Sequence, residues 1–127
     1  MTKEENRGSM TTLYIAGPMS GLPDHNYPAF RDAASILAKA GYGVLNPVEN
    51  EKKRTDNTRW VAGNHAPWSW YMRRSLEQIA VADGIAVLPR WQNSKGATLE
   101  VDLALQLGMQ VATVDGWIAR APEGEVL

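Results

Sequence analysis

The feature that most constrains this chain is an alternation of short β-rich runs with stretches whose apolar residues recur at helical spacing. Thr12-Leu13-Tyr14-Ile15-Ala16 reads as a first strand, stopped by Gly17-Pro18 and again by Gly21-Leu22-Pro23. Phe30, Ala33, Ala34, Leu37 and Ala40 then follow the i, i+3, i+4, i+7 spacing of one helix face, which ends at Gly41. Gly43 to Asn46 is a second strand closed by Pro47, and residues 48–67 read as a long loop. A second helix starts near Pro67, with Trp68, Met72, Leu76, Ile79 and Ala80 on its buried side, and Asp83-Gly84 ends it. Ile85-Ala86-Val87-Leu88 is apolar throughout, the mark of a strand covered on both faces. Beyond a loop over 89–95, Leu99, Leu103, Ala104 and Leu107 define a third helix ending at Gly108. Gln110 to Val114 is a fourth strand, and residues 115–127 follow no clear pattern.

Strand and helix alternating in this way predict a parallel sheet with helices on both faces and right-handed crossovers. Ligands of such sheets bind beyond the carboxyl ends of the strands. Here those ends are Gly17 to Gly21, Asn46-Pro47 and Pro89 to Gly96. A length of 127 residues suits one domain, expected over 11–127 behind a disordered leader over 1–10. In that leader Gly8-Ser9-Met10 reads as a junction, with Met10 a second candidate start.

Composition narrows the function classes. With 13 Lys+Arg against 14 Asp+Glu, the formal charge is −1, so no long-range field draws in polymeric nucleic acid or an acidic membrane surface. No apolar run approaches the roughly 18 residues of a spanning helix. Absence of Cys excludes a thiol nucleophile and a Cys-ligated metal, and fits a reducing cytoplasm. His25 and His65 have no partner at metal-ligand spacing, so no metal site is expected. Five Trp and four Tyr stand against one Phe, a bias toward aromatics that keep a polar edge and can face a ligand.

The most informative stretch runs from Asp83 to Glu100. A buried strand leads into a loop that delivers Ser94 and Gly96 to a helix N-terminus, where Ser94 can cap and Gly96 can let backbone N–H groups approach a ligand. Glu100 lies about one turn inside the helix. It fits two roles there: an acid stabilised by the helix dipole, or a cleft carboxylate able to attack an electron-poor sugar carbon. Gly17-Pro18-Met19-Ser20-Gly21 follows the first strand as a phosphate-binding turn would, yet matches neither GxGxxG nor GxxxxGK[ST] and reads equally as a tight turn. Tyr14 is either a core residue or a hydroxyl in the mouth of the site. Trp91, between the third strand and Ser94, could stack on a flat base or pack as a rim aromatic.

Together these segments resemble the nucleoside 2-deoxyribosyltransferase-like superfamily, and within it the small phage and bacterial DUF4406 proteins. The resemblance rests on Tyr14-Ile15-Ala16-Gly17-Pro18-Met19-Ser20-Gly21, on Gly41-Tyr42 through Asn46-Pro47, on Ala82-Asp83-Gly84-Ile85 with Leu88-Pro89-Arg90-Trp91, and on Ser94-x-Gly96-x-x-x-Glu100 followed by Ala104-x-x-Leu107-Gly108. It implies an α/β fold, a flavodoxin-like three-layer sandwich with four or five parallel strands. It also implies cleavage or exchange of the N-glycosidic bond of a deoxynucleoside or its monophosphate, with no metal or redox cofactor. By the same resemblance Glu100 is the nucleophile and Tyr14 stands beside it. Gly17, Met19, Ser20, Ser94 and Gly96 hold the sugar or a 5′-phosphate, and sites are completed across a homo-oligomer.

One departure matters. Catalytic relatives carry an Asp in the second helix, eight residues before the strand-opening Asp, to handle the proton on the departing base. This chain has Ser75 there. A hydroxyl is a poor proton donor, and losing a general acid commonly costs a factor of about 10²–10⁴. The alternative expectation is therefore a binding module that holds a nucleotide without turning it over. Asp83, at the opposite end of its strand from the cleft, reads as structural. Arg73, Arg74 or the basic run over 52–54 would have to supply the positive charge that nucleotide-specific relatives place near Ser20.

Overall fold

A computed structural model describes residues 10–53 and 67–121, with the side chains of 51–53 not included. Most of the leader, the middle of the long loop with Trp60 and His65, and the last six residues lie outside these bounds. Strand β1 (Thr12–Ala16) is followed by a short 3-10 turn and helix α1 (Tyr27–Lys39), then β2 (Gly43–Leu45). Helix α2 (Trp68–Val81), β3 (Gly84–Val87), α3 (Lys95–Gln106), β4 (Gln110–Thr113) and α4 (Val114–Ala119) complete the order.

All strand pairings are parallel and the sheet runs β2-β1-β3-β4, the order of a flavodoxin-like sandwich. Four strands form the sheet among the described residues. The direction of winding reverses at β1, which places β3 on the other side of it, and α2 and α3 consequently cover the face opposite α1 and α4. Alternation along β1 sorts its side chains between the two layers. Leu13 and Ile15 join Phe30, Ala33 and Leu37 of α1, while Tyr14 and Ala16 join Ile79 of α2 and Ala97, Val101 and Ala104 of α3.

The segment after β4 forms α4, which the sequence pattern leaves undefined. Its Trp117 is 4% exposed, donates its indole N–H to the Ile85 carbonyl at 2.8 Å, and meets the Tyr42 ring edge-on at 5.7 Å. A Cβ on Gly84 would come within 2.8 Å of that indole, so the glycine at the start of β3 makes room for it. The loop expected over 48–67 also departs from expectation at its start, because Pro47–Lys53 is a 3-10 helix. At the amino end of the sheet Asp83 is structural: its carboxylate accepts from the Thr12 N–H at 2.7 Å, and its own N–H donates to the Thr12 carbonyl.

Two helix faces differ from those read off the sequence. On α2, Met72 and Ile79 are buried as expected, but Trp68 is 46% exposed, Ala80 is exposed, and Ser75 and Gln78 take the inner positions. On α3 the buried set is Ala97, Glu100, Val101 and Ala104, while Leu99 and, just beyond the helix, Leu107 face outward. A helix turns by about 100° per residue, so turning Glu100 inward rotates its neighbour Leu99 toward solvent, while Ala104, one turn on from Glu100, stays buried.

Candidate active site

The strand order places a crevice at the carboxyl ends of β1 and β3, where the connections leaving the two strands part to opposite faces, the usual ligand site of an open parallel sheet. A cavity of about 670 Å³ opens there. Its floor and walls come from three connections. The turn after β1 supplies Gly17, Pro18, Met19 and Ser20, the segment after β2 supplies Pro47 and Asn50, and the start of α3 supplies Ser94, Lys95, Gly96 and Ala97. Helix α2 closes one side with Trp68, Tyr71, Met72 and Ser75.

Glu100 projects from α3 into this cavity and is 6% exposed. The Tyr14 hydroxyl, reaching across from the centre of β1, donates to Glu100 Oε2 at 2.9 Å. Burial pushes the Glu100 carboxyl up from 4.5 to about 7, against the pull of hydrogen bonds from Tyr14 and Ser75, which favour the charged form. Tyr14 is held well above the usual phenol range, first by burial and then by the neighbouring carboxylate. Near neutrality the site therefore holds a carboxyl poised between its two protonation states, clamped by two hydroxyls. Such a group can serve as a nucleophile once ionised, or move a proton.

Ser94 caps α3, its hydroxyl accepting from the Ala97 N–H at 3.0 Å, and this fixes the helix from which Glu100 extends. Gly96 borders the cavity, where a Cβ would sit 3.5 Å from the Met72 sulfur and 3.8 Å from the Trp68 indole nitrogen. Gly17 has a different reason to be glycine: a Cβ there would fall 2.8 Å from the Leu88 side chain, so close packing of β1 on the end of β3 demands it.

Of the residues singled out in the sequence, Tyr14, Gly17, Met19, Ser20, Ser94, Gly96 and Glu100 line one cavity, and Trp91 does not. The chain turns at Arg90, whose φ is +65°, and Trp91 packs against the apolar layer under α3 while lining a separate depression with Leu88, Thr113 and Asp115. The tryptophan that borders the cavity is instead Trp68, with the Lys95 ammonium 4.5 Å from its ring centre. Nor does Arg74 face the cavity: it pairs with Glu77 at 2.8 Å and stacks on Trp70. Lys95 is the cation at the cavity that sequence reasoning missed, although its place beside the Ser94 cap was a usable signal. Asn50 was also missed, because a lone amide in a polar stretch carries no periodicity. His25 stands at the rim, on a turn whose Asp24, His25 and Asn26 all adopt left-handed backbone conformations.

Comparison with known proteins bears on the family and the fold. Residues 11–113 match the family described as Domain of unknown function (DUF4406). The chain belongs to the DUF4406 family. No curated protein matches it. Among solved structures, a 2-deoxyribosyltransferase from the psychrotolerant bacterium Bacillus psychrosaccharolyticus superposes with a TM-score of 0.58 at 21% identity, covering 80% of this chain and 69% of that one. The likeness establishes a shared fold between this DUF4406 protein and that enzyme. Among the described residues, no helix is long and apolar enough to cross a membrane.

Proposed function

We propose that this DUF4406 protein cleaves or exchanges the N-glycosidic bond of a deoxynucleoside or deoxynucleoside monophosphate. The observation that carries the reading is the buried Glu100 carboxyl, hydrogen-bonded to Tyr14, inside a cavity at the carboxyl ends of β1 and β3. In the first step a Glu100 oxygen bonds to the anomeric carbon as the glycosidic bond breaks. The electron pair of that bond leaves with the base, which takes up a proton from water. In the second step water, or the nitrogen of another base, attacks the same carbon, and Glu100 departs as a carboxylate while the attacking group releases its proton to solvent. Ser20, Ser94, Lys95 and the backbone of Gly17, Met19 and Gly96 are placed to hold the sugar or its phosphate. Ordinary acid–base chemistry suffices for both steps.

A second reading is favoured by Ser75. It occupies the buried face of α2 beside Glu100, where a proton donor for the departing base would be useful, and offers a neutral hydroxyl. On this reading the cavity binds a nucleotide as a sensor or sponge would, with Glu100 accepting from a sugar hydroxyl. One assay separates them. The protein is incubated with a panel of deoxynucleosides and their monophosphates, and free base is followed by chromatography. Release that disappears in Glu100→Ala supports the enzyme. Tight binding without release, with turnover appearing in Ser75→Asp, supports the binder, and neither binding nor release refutes both.

The proposal includes a cytoplasmic homo-oligomer. Leu99 and Leu105 on α3 and Leu107 just beyond it, 45%, 57% and 59% exposed, are large apolar side chains left in the open that contact with another copy would cover. Light scattering at micromolar concentration checks this, since a mass of a single 14.0 kDa chain would count against it.

A further inference from the structure

Asn50 lies on the 3-10 segment that leaves β2, is 1% exposed, and borders the same cavity as Glu100. The local chain is held by Asn46, whose side-chain oxygen accepts from the Val48 N–H at 3.1 Å and whose carbonyl accepts from the Glu49 N–H at 3.0 Å. The Asn50 amide nitrogen donates to Gln78 Oε1 at 3.1 Å. Its oxygen, Oδ1, is buried without a hydrogen-bond partner among the described residues. Buried polar atoms in native proteins are nearly always satisfied, and an orphan beside a ligand cavity calls for an explanation.

The orientation of the amide limits what could complete it. One amide N–H of Asn50 is committed to Gln78 and the unpaired atom is Oδ1, an acceptor, so what completes it must bring a donor. A phosphate or a bare carbonyl cannot serve. Gln78 stands three residues beyond Ser75, on the same buried face of α2. The acceptor is thus tied to the helix position one turn from the hydroxyl that contacts Glu100. A ligand with its anomeric carbon at Glu100 would extend its base into the remaining cavity, where Trp68 and Tyr71 offer flat walls.

We propose that Asn50 Oδ1 reads the edge of the nucleobase by accepting from an N–H, either an exocyclic amine or a ring imide, and that Gln78 holds the amide in the accepting orientation. Asn50 is then a specificity residue of the site, and this assignment rests on the nucleoside reading above. The expected contrast is the one a buried hydrogen bond makes in general: a ligand lacking the donor leaves the acceptor unpaired and binds roughly tenfold or more weakly.

The test compares ligands matched for that donor: 2′-deoxyadenosine against purine 2′-deoxyriboside and 2′-deoxycytidine against its 4-desamino analogue, which simply lack the amine, and thymidine against N3-methylthymidine, which replaces the N–H with a methyl group. Each is titrated calorimetrically into Glu100→Gln, which cannot form the glycosyl bond. At least one donor-bearing ligand should bind about tenfold tighter than its partner. In Asn50→Leu/Gln78→Met, which replaces both ends of the amide pair with apolar groups, the ratio should fall below about twofold. If that double variant does not fold, Asn50→Ala gives the same readout. Equal binding within every pair, or a ratio that survives removal of Asn50, overturns the assignment. Base release by the unmodified protein is measured in parallel. Glu100-dependent release without discrimination removes the Asn50 assignment alone, whereas neither binding nor release of any ligand removes the nucleoside reading with it.

Discussion

β1 gives Leu13 and Ile15 to one face of the sheet and Tyr14 and Ala16 to the other, and the two faces have opposite characters. Under α1 and α4 the layer is apolar and aromatic, and its buried polar groups are paired: the Tyr42 hydroxyl donates to the Trp117 carbonyl at 2.6 Å and the Trp117 indole N–H to Ile85. Under α2 and α3 the same depth of burial holds a carboxyl, a phenol and a hydroxyl, with the Asn50–Gln78 amide pair alongside. The first face is a solved packing problem. The second keeps a group in apolar surroundings that would be more stable in water, which is what one expects where stability yields to chemistry.

The contrast can be broken most sharply at Glu100. Glu100→Ala should lower base release by roughly 10³-fold or more, as removal of a nucleophile commonly does, while the protein stays folded. A residual rate within tenfold of the original would sink the nucleophile assignment. On the quiet face, Leu37→Ala empties a fully buried site and should cost about 2–5 kcal/mol in a denaturant titration, with ligand affinity unchanged in the molecules that remain folded.

The pH dependence separates stability from catalysis by sign. The Glu100 carboxyl titrates near 7 in the folded protein and near 4.5 when exposed, so between those values the folded state binds more protons than the unfolded one. Stability is therefore greatest below pH 4.5 on this account and declines as pH rises through 7, by on the order of 3 kcal/mol. Glu100→Gln should remove most of that decline, read as the difference in unfolding free energy between pH 5 and pH 8. A parallel decline in the variant would mean that the carboxyl is not strained by burial. Catalysis runs the other way, because attack needs the carboxylate: base release should climb from pH 6 to pH 8.

Smaller effects refine the picture. Tyr14→Phe deletes a hydrogen bond to the charged form, worth about 1.5–3 kcal/mol, and should shift the rising limb of the pH profile upward. Ser94→Ala removes the cap of α3 and should cost about 1 kcal/mol of stability, with a modest loss of activity as the helix start loosens around Gly96.

Much of this was legible in the chain. β1 falls within the bounds expected, and the strand-loop-helix pattern around Ser94 and Glu100 led to the cavity because caps and turn residues are local signals. The helix faces were less legible for a reason rooted in function. A reading by periodicity buries leucines, yet α3 turns Glu100 inward and leaves Leu99 and Leu107 in the open, and α2 buries Ser75 and Gln78 while Trp68 borders the cavity. α4 was invisible because its place depends on one indole finding a carbonyl on β3, a contact that lies 32 positions away in the chain. Trp91 misled because proximity in sequence to Ser94 ignores the turn at Arg90.

The reciprocal bonds between Thr12 and Asp83 fasten the entry of the central strand to the end of the sheet farthest from the cavity. With five residues in β1, about 16 Å of strand separates that entry from the turn at Gly17. The point of attachment ahead of Thr12 therefore lies at the end of the sheet opposite the mouth. The protein can be anchored to a sensor surface or fused to a carrier through its amino-terminal side with the ligand path left open, whereas attachments near Ser20 or Lys95 would stand across it.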